Sequence, residues 1–281
     1  MAKSRMTHYY DENDHPRLLP SYCIFADFLG FRQEIKDAVA SDKEEEVFRH
    51  FMAKVEPIIR EVTGSTLLES SERRMWDTKV FTDNVIFGYP LWSQDGESEL
   101  AQPLLTLSVF QLSCAIEGYF VRGGWAVGKL FINENTVYGA ALLDAYELEN
   151  TKAVYPRIVL SDRFKELARS HMTHYAPDYS PPHCRYLIID DCGALAVNYL
   201  IIVAEEEEVR WDLLDRHARC VSQKLGEHKN NQRVLEKFQW LAAYHNFICD
   251  QLTHEDGYSS GIRIAGEFKD FGVRCLTRED V

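Results

Sequence analysis

Tyr22-Cys23-Ile24-Phe25-Ala26-Asp27-Phe28-Leu29-Gly30-Phe31 is the stretch that decides the fold. Tyr22 to Ala26 is a short apolar run, which suits a buried strand, and Asp27 stands at its end. Gly30 then supplies a tight turn, and charged helical sequence continues to about Val62. Within it Val47, Phe48, Phe51, Val55, Ile58 and Ile59 recur at spacings of three and four, while Asp42 to Glu46 forms a solvated face. The unit is strand, turn, helix. Upstream, residues 1–20 lack periodicity and read as an N-terminal arm that docks on the body, with regular order beginning at Ser21.

Downstream, Lys79 to Gly88 is rich in β-branched and aromatic residues and reads as a strand or hairpin carrying Asp83 in its middle. Residues 98–119 give a long apolar-periodic helix. Val121 to Gly128 and Lys129 to Tyr138 read as paired strands around Gly123-Gly124 and Asn133-Glu134-Asn135, and Ala140 to Glu149 as a helix. Strands are expected at Arg157 to Leu160, Tyr186 to Ile189 and Leu195 to Ile202. The acidic run Glu205 to Glu208 then opens two amphipathic helices, 209–225 and 230–252. The order β-α-β-α-β-β-α-β predicts an α+β, ferredoxin-like core, an antiparallel sheet with helices on one face, over residues 21–203. Residues 204–281 form a helical extension packed on it.

Composition narrows the function. The chain has 281 residues, 46% of them hydrophobic, 12% aromatic and 27% charged, which excludes disordered, collagenous and repeat-array classes. Thirty-one Lys plus Arg against 44 Asp plus Glu leave a net charge of -13, which opposes nonspecific binding to nucleic acid or an anionic membrane. Seven cysteines without a CxxC pair suggest neither a disulfide framework nor a structural zinc site. With no run of about 18 apolar residues and a polar start from Met1 to Pro20, the expectation is a cytoplasmic protein, neither secreted nor membrane-spanning.

Two carboxylates stand out. Asp27 ends a buried strand and Asp83 interrupts an apolar one, places where a charge is costly unless it is paired or ligates a metal. Neighbouring strands bringing them together would suit Mg²⁺ or Mn²⁺ bound with a triphosphate; on spacing alone, aspartates that cap helices or pair with arginines are the commoner case. Gly30-Phe31 can present helix N-terminal N–H groups to phosphates, or simply make a turn. Phe25 shares a strand face with Asp27, where its ring can stack on a base or join the core. His171 and His174, three apart, are expected on the surface rather than on a metal.

Four segments in order carry a resemblance: Phe25-Ala26-Asp27-Phe28-Leu29-Gly30-Phe31, Lys79 to Asp83, Arg122-Gly123-Gly124-Trp125-Ala126-Val127-Gly128 and Tyr138-Gly139-Ala140-Ala141-Leu142. Together they resemble class III nucleotidyl cyclases. Ala145-Tyr146-Glu147-Leu148-Glu149, Tyr155-Pro156-Arg157-Ile158-Val159-Leu160 and Trp240-Leu241-Ala242-Ala243-Tyr244-His245-Asn246 look like the pyrimidine cyclases of Pycsar antiphage defence. The resemblance implies a head-to-tail homodimer with composite sites, turning a pyrimidine nucleoside triphosphate into its 3′,5′-cyclic monophosphate and pyrophosphate; UTP giving cyclic UMP is the expected case, the product being read by a separate effector. It implies two divalent metal ions, Mn²⁺ or Mg²⁺, on Asp27, Asp83 and the Phe28 carbonyl.

The sequence also departs from that family. Where adenylate cyclases carry an Asn and, one turn later, an Arg that stabilises charge in transfer, Leu143 and Glu147 stand here. Arg122 and Arg157 are the candidate replacements. Lys79 and Thr136 fall on the base-reading pair, and Thr136 in place of an Asp removes a reason to choose adenine. Phe25, Gly30 and Phe31 complete the expected substrate site. A cytidylate cyclase making cyclic CMP, and an inactive cyclase-like module that binds nucleotide or dimerises, remain the alternatives.

Overall fold

The structure, a computed structural model, describes residues 8–64, 76–93 and 95–281. It begins with strand β1 (Leu19–Phe28), helices α1 (Phe31–Ala40) and α2 (Glu44–Gly64), a hairpin of β2 (Asp77–Phe81) and β3 (Asn84–Pro90), helix α3 (Glu97–Ile116) and strand β4 (Val121–Ile132). The sheet runs β2-β3-β1-β4 with every neighbouring pair antiparallel. Each of the two strand-helix-strand units thus has a strand of the other inserted between its ends, and this split pairing defines the ferredoxin-like core expected from the sequence.

β1 is central because its apolar run is buried on both faces. Tyr22, Ile24, Ala26 and Phe28 point to one side, where Val55 and Ile58 of α2 and Leu104, Leu107 and Phe110 of α3 cover them. Cys23 and Phe25 point to the other. There, α4 (Ala140–Thr151) lies across β1 and β4, so helices occupy both faces. The stripe of α4 that meets the sheet is Ala141, Ala145 and Glu149, one residue every four, with both alanines fully buried. Small side chains on the helix meet small ones on β4. A Cβ on Gly124 would run into the Ala145 carbonyl oxygen and the Leu148 Cβ. β4 runs unbroken through Gly128 and Lys129, where the sequence reading divides two paired strands, and only β5 (Val137–Tyr138) folds back on its end.

After α4 the sheet continues through β6 (Ile158–Leu160), parallel to β4, then β8 (Leu195–Val197), β7 (Leu187–Ile189) and β9 (Arg274–Cys275). Helices α5 (Asp162–Met172) and α6 (Pro182–Tyr186) fill the connection between β6 and β7. The strand expected over Leu195 to Ile202 stops at Val197, and Tyr199–Ala204 turns into a 3-10 helix. The expected C-terminal helices are α7 (Trp211–Glu227) and α8 (Gln232–Gln251). They share the core of α2 and α3 through Leu214, Val221, Phe238 and Leu241. The chain then returns as β9 to the sheet edge, so the last segment is helical and strand-forming at once.

Regular order begins at Leu19, before Ser21, and the apolar α3 is a core helix. α3 is long and apolar enough by composition to cross a membrane, with a mean hydropathy of 1.2 over its best window, yet 67% of that window is buried inside the protein. The arm also docks more firmly than its lack of periodicity suggests. Tyr9 is fully buried beside Leu130 and Ile132, its hydroxyl 2.9 Å from Ser21 Oγ, and Asn133 Nδ2 donates to Tyr10 Oη at 2.8 Å.

Candidate functional site

β1 ends at a rim where four other segments converge. Asp27 lies opposite Asn84 of β3 on one side and Arg122 of β4 on the other, so all three side chains leave the same face of the sheet. Asp83 does not lie within a strand. It sits in the two-residue turn between β2 and β3, after Thr82 with its φ of 53°, and its carbonyl accepts the Phe28 N–H at 3.1 Å. That bond ties the hairpin tip to the end of β1 and brings the two carboxylates into one electrostatic neighbourhood. Asp83 Oδ1 accepts from Thr82 Oγ1 at 2.8 Å and Asn84 Nδ2 at 3.1 Å, which orients it.

Arg122 connects the acids. Its Nε donates to Asp27 Oδ2 at 3.0 Å and its Nη2 lies 2.6 Å from Glu149 Oε1, at the foot of the α4 stripe. Burial pushes the Asp27 carboxyl up to about 6, against the pull of Arg122 and with help from Glu149 and Asp83. Burial also raises Glu149, again against Arg122 and with Asp83 adding to the rise. Lys237 on α8 faces the same group: burial lowers its pKa, Arg122 and Arg233 lower it further, and Asp27 and Glu149 act the other way. The site is therefore a half-buried set of three acids, Asp27, Asp83 and Glu149, facing Arg122 and Lys237.

Asp27, Asp83 and the Phe28 carbonyl offer oxygen only, a donor set that fits a hard divalent cation such as Mg²⁺ or Mn²⁺. Gly30, in the left-handed region at φ 87°, caps α1 and leaves open space around its Cα. Phe31 opens that helix and packs on Phe51, with ring centroids 4.8 Å apart.

The other expected residues divide. Phe25 is buried under α4 and meets Tyr146 edge-on at 5.3 Å, so it belongs to the packing between sheet and helix. Lys79 does share its face: Lys79, Ile86 and Phe25 stand opposite one another on β2, β3 and β1. Thr136 is exposed in the turn joining β4 to β5, where Asn133 Oδ1 accepts its N–H at 2.7 Å. That turn lies beyond the far end of β4 from Arg122, roughly 30 Å along the strand, so one chain does not bring Thr136 to Asp27.

Arg157 is placed elsewhere. Its guanidinium pairs with Asp190 in the core and lies 5.3 Å from the Tyr155 ring centroid and 5.2 Å from that of Trp240, so its charge is already matched. Leu143 and Glu147 are exposed on the outer side of α4. His171 is not a surface residue: it is fully buried, its Nδ1 3.0 Å from His183 Nε2 and its Nε2 3.0 Å from the Asp95 carbonyl oxygen.

Glu149 and Lys237 were not singled out by the sequence reading. An acid continuing the buried Ala141, Ala145 spacing was a usable signal for Glu149. For Lys237 there was none, because nothing local says that α8 runs past the start of β4.

No protein-family model and no curated protein sequence matches this chain. Among solved structures it is similar to the guanylyl cyclase Cya2, at 16% identity and a TM-score of 0.38, over 54% of this chain and 79% of that one. It is also similar to a class III adenylyl cyclase-like ATP-binding protein from Pseudomonas aeruginosa, at 11% identity and a TM-score of 0.39, over 60% of this chain and 39% of that one. Both are cyclase or cyclase-like structures by description. At these scores the fold assignment rests on the strand order and register given above.

Proposed function

We propose that the protein is a pyrimidine nucleotidyl cyclase converting UTP to 3′,5′-cyclic UMP and pyrophosphate, a second messenger read by a separate effector in bacterial antiphage defence. The observation that carries the catalytic part is the convergence of Asp27 and Asp83 at the end of β1, fastened by the Phe28 N–H to the Asp83 carbonyl. The pyrimidine and antiphage parts rest on the sequence resemblance.

In the reaction the ribose 3′-oxygen attacks the α-phosphorus. A P–O bond forms there, the bond to the oxygen bridging to the β-phosphate breaks, pyrophosphate leaves and the hydroxyl proton passes to solvent. Divalent cations held by Asp27, Asp83 and the Phe28 carbonyl would supply Lewis acidity and charge neutralisation. The chain's own part is positioning and electrostatics. Asp27 and Asp83 fix the reacting end, the α1 N-terminus at Gly30 and Phe31 faces the phosphates, and Arg122 orients Asp27 through its hydrogen bond. Phe25 shapes the floor beneath α4.

The working unit is a homodimer. Thr136 lies too far from Asp27 in one chain to share a nucleotide with it, and the α4 side exposes apolar surface at Phe81, Tyr138, Leu143 and Tyr146, the last three more than half exposed. A partner packed on that surface would bury it.

The test is incubation of purified protein with each of the four nucleoside triphosphates and Mn²⁺, with mass spectrometry of the products. Cyclic UMP is expected; cyclic CMP would assign the cytidylate alternative, and no cyclic product from any of them would overturn the proposal. One observation favours the inactive-module reading: Leu143 and Glu147 occupy the α4 positions where the family has Asn and Arg, and α4 contains no basic residue. The same assay separates it.

A further inference from the structure

We infer that Lys237, on α8, is the phosphate-binding cation that α4 does not supply, so that the C-terminal extension completes the catalytic site. This rests on the cyclase reading above. A triphosphate brought to Asp27 and Asp83 needs cationic side chains, and the two arginines expected to serve are both engaged. Arg157 is matched to Asp190 in the core, and Arg122 is shared between Asp27 and Glu149.

Lys237 differs from both. α8 is anchored at the start of β4 by Phe238, which is buried with its ring centroid 5.4 Å from that of Phe120. The residue before Phe238 thereby lies near the start of β4, within electrostatic reach of Arg122, Asp27 and Glu149. No ion pair to Lys237 forms among the described residues. Burial disfavours the Lys237 ammonium, Arg122 and Arg233 add repulsion, and Asp27 and Glu149 offset only part of it. A polyanion arriving at the rim reverses the balance, satisfying the ammonium and relieving the repulsion from Arg122 and Arg233 together. A counter-ion role toward Glu149 alone would be redundant, because Arg122 already lies 2.6 Å from that carboxylate.

The experiment uses the full chain and inorganic tripolyphosphate as probe. Calorimetric titration in the presence of Mn²⁺ compares wild type, Lys237→Met and Lys237→Arg, with thermal melting of each. Lys237→Met is expected to weaken tripolyphosphate binding about tenfold or more, and to raise KM for the productive nucleoside triphosphate, with little change in melting temperature. Lys237→Arg should stay near wild type. Wild-type affinity in Lys237→Met, or a loss in Lys237→Arg equal to that in Lys237→Met, overturns the inference. If Lys237→Met does not fold, Lys237→Gln carries the same comparison. A wild type that makes no cyclic nucleotide refutes the cyclase reading, whereas an active wild type whose tripolyphosphate affinity is indifferent to Lys237 refutes this assignment alone.

Discussion

Arg122 donates from Nε to Oδ2 of Asp27 across adjacent strands at 3.0 Å, so one oxygen of the central carboxylate is already engaged by a cation. Even so, burial outweighs the ion pair and holds the Asp27 carboxyl at about 6, above its ordinary value of 3.8. Between those two pH values the folded state binds a proton that the unfolded state releases. Asp27 therefore favours folding only at low pH, and that contribution is lost as pH rises through about 6. Asp27→Asn, nearly isosteric and uncharged, should gain stability relative to wild type on going from pH 4.5 to 7.5 in metal-free buffer. Calorimetric melting at the two pH values checks it; an identical difference at both would remove the burial argument. The same variant, and Asp83→Asn, should lose product formation by about a hundredfold or more while remaining folded.

Arg157 and Asp190 make the opposite case, a buried ion pair whose members depend on each other. Arg157→Met should destabilise the protein by about 3 to 5 kcal/mol, because it strands the Asp190 carboxylate in the core and takes the cation from beside the Tyr155 and Trp240 rings. Replacing both, as Arg157→Met with Asp190→Leu, should recover part of that loss. Denaturant unfolding measures both. If the single variant lost nucleotide affinity with its stability intact, Arg157 would have a role at the substrate instead.

Much of this arrangement was legible from local sequence, and what was not has a common cause. The apolar run Tyr22 to Ala26 followed by Gly30 gave β1 and its turn, because burial on both faces and a left-handed residue each leave a local mark. Asp27 and Asp83 showed as acids in apolar surroundings. The break between α1 and α2 at Ser41 to Lys43 was missed, since the positive φ of Asp42 falls in a charged stretch that reads as helix surface. Gly123-Gly124 fell inside an expected strand with no local reason for two glycines: a Cβ on Gly123 would strike the β1 backbone at Phe25, and one on Gly124 the Ala145 carbonyl of α4, which only the tertiary structure reveals. His171 likewise reads as polar but is buried through partners distant in sequence, His183 and the Asp95 carbonyl.

The exposed apolar side of α4 carries a prediction about assembly. Leu143 is 68% exposed and Tyr146 51%, and substituting a charge there touches none of the buried α4 stripe. Light scattering should show wild type as a dimer. Leu143→Glu should weaken association by about tenfold or more and lower activity at concentrations where it is monomeric. A fully active monomeric wild type would rule the composite site out.

The choice of base turns on Lys79. It stands in the row Lys79, Ile86, Phe25, on the same face as Asp27 and roughly 10 Å from Phe25 across two strand spacings. Uracil presents a carbonyl acceptor at C4, where cytosine presents an amino donor. An ammonium only donates, so a Lys79 that reaches this edge is satisfied by uracil and opposed by cytosine. Thr136 both donates and accepts, and discriminates little; it would come from the partner chain. A mismatched buried polar group costs roughly 1 to 3 kcal/mol, or about five- to 150-fold. In competition between equimolar UTP and CTP, cyclic UMP should be the main product by a factor in that range. Lys79→Ala should shrink the ratio more than Thr136→Ala does. Mainly cyclic CMP from the wild type would reverse the base assignment and leave the carboxylate site standing.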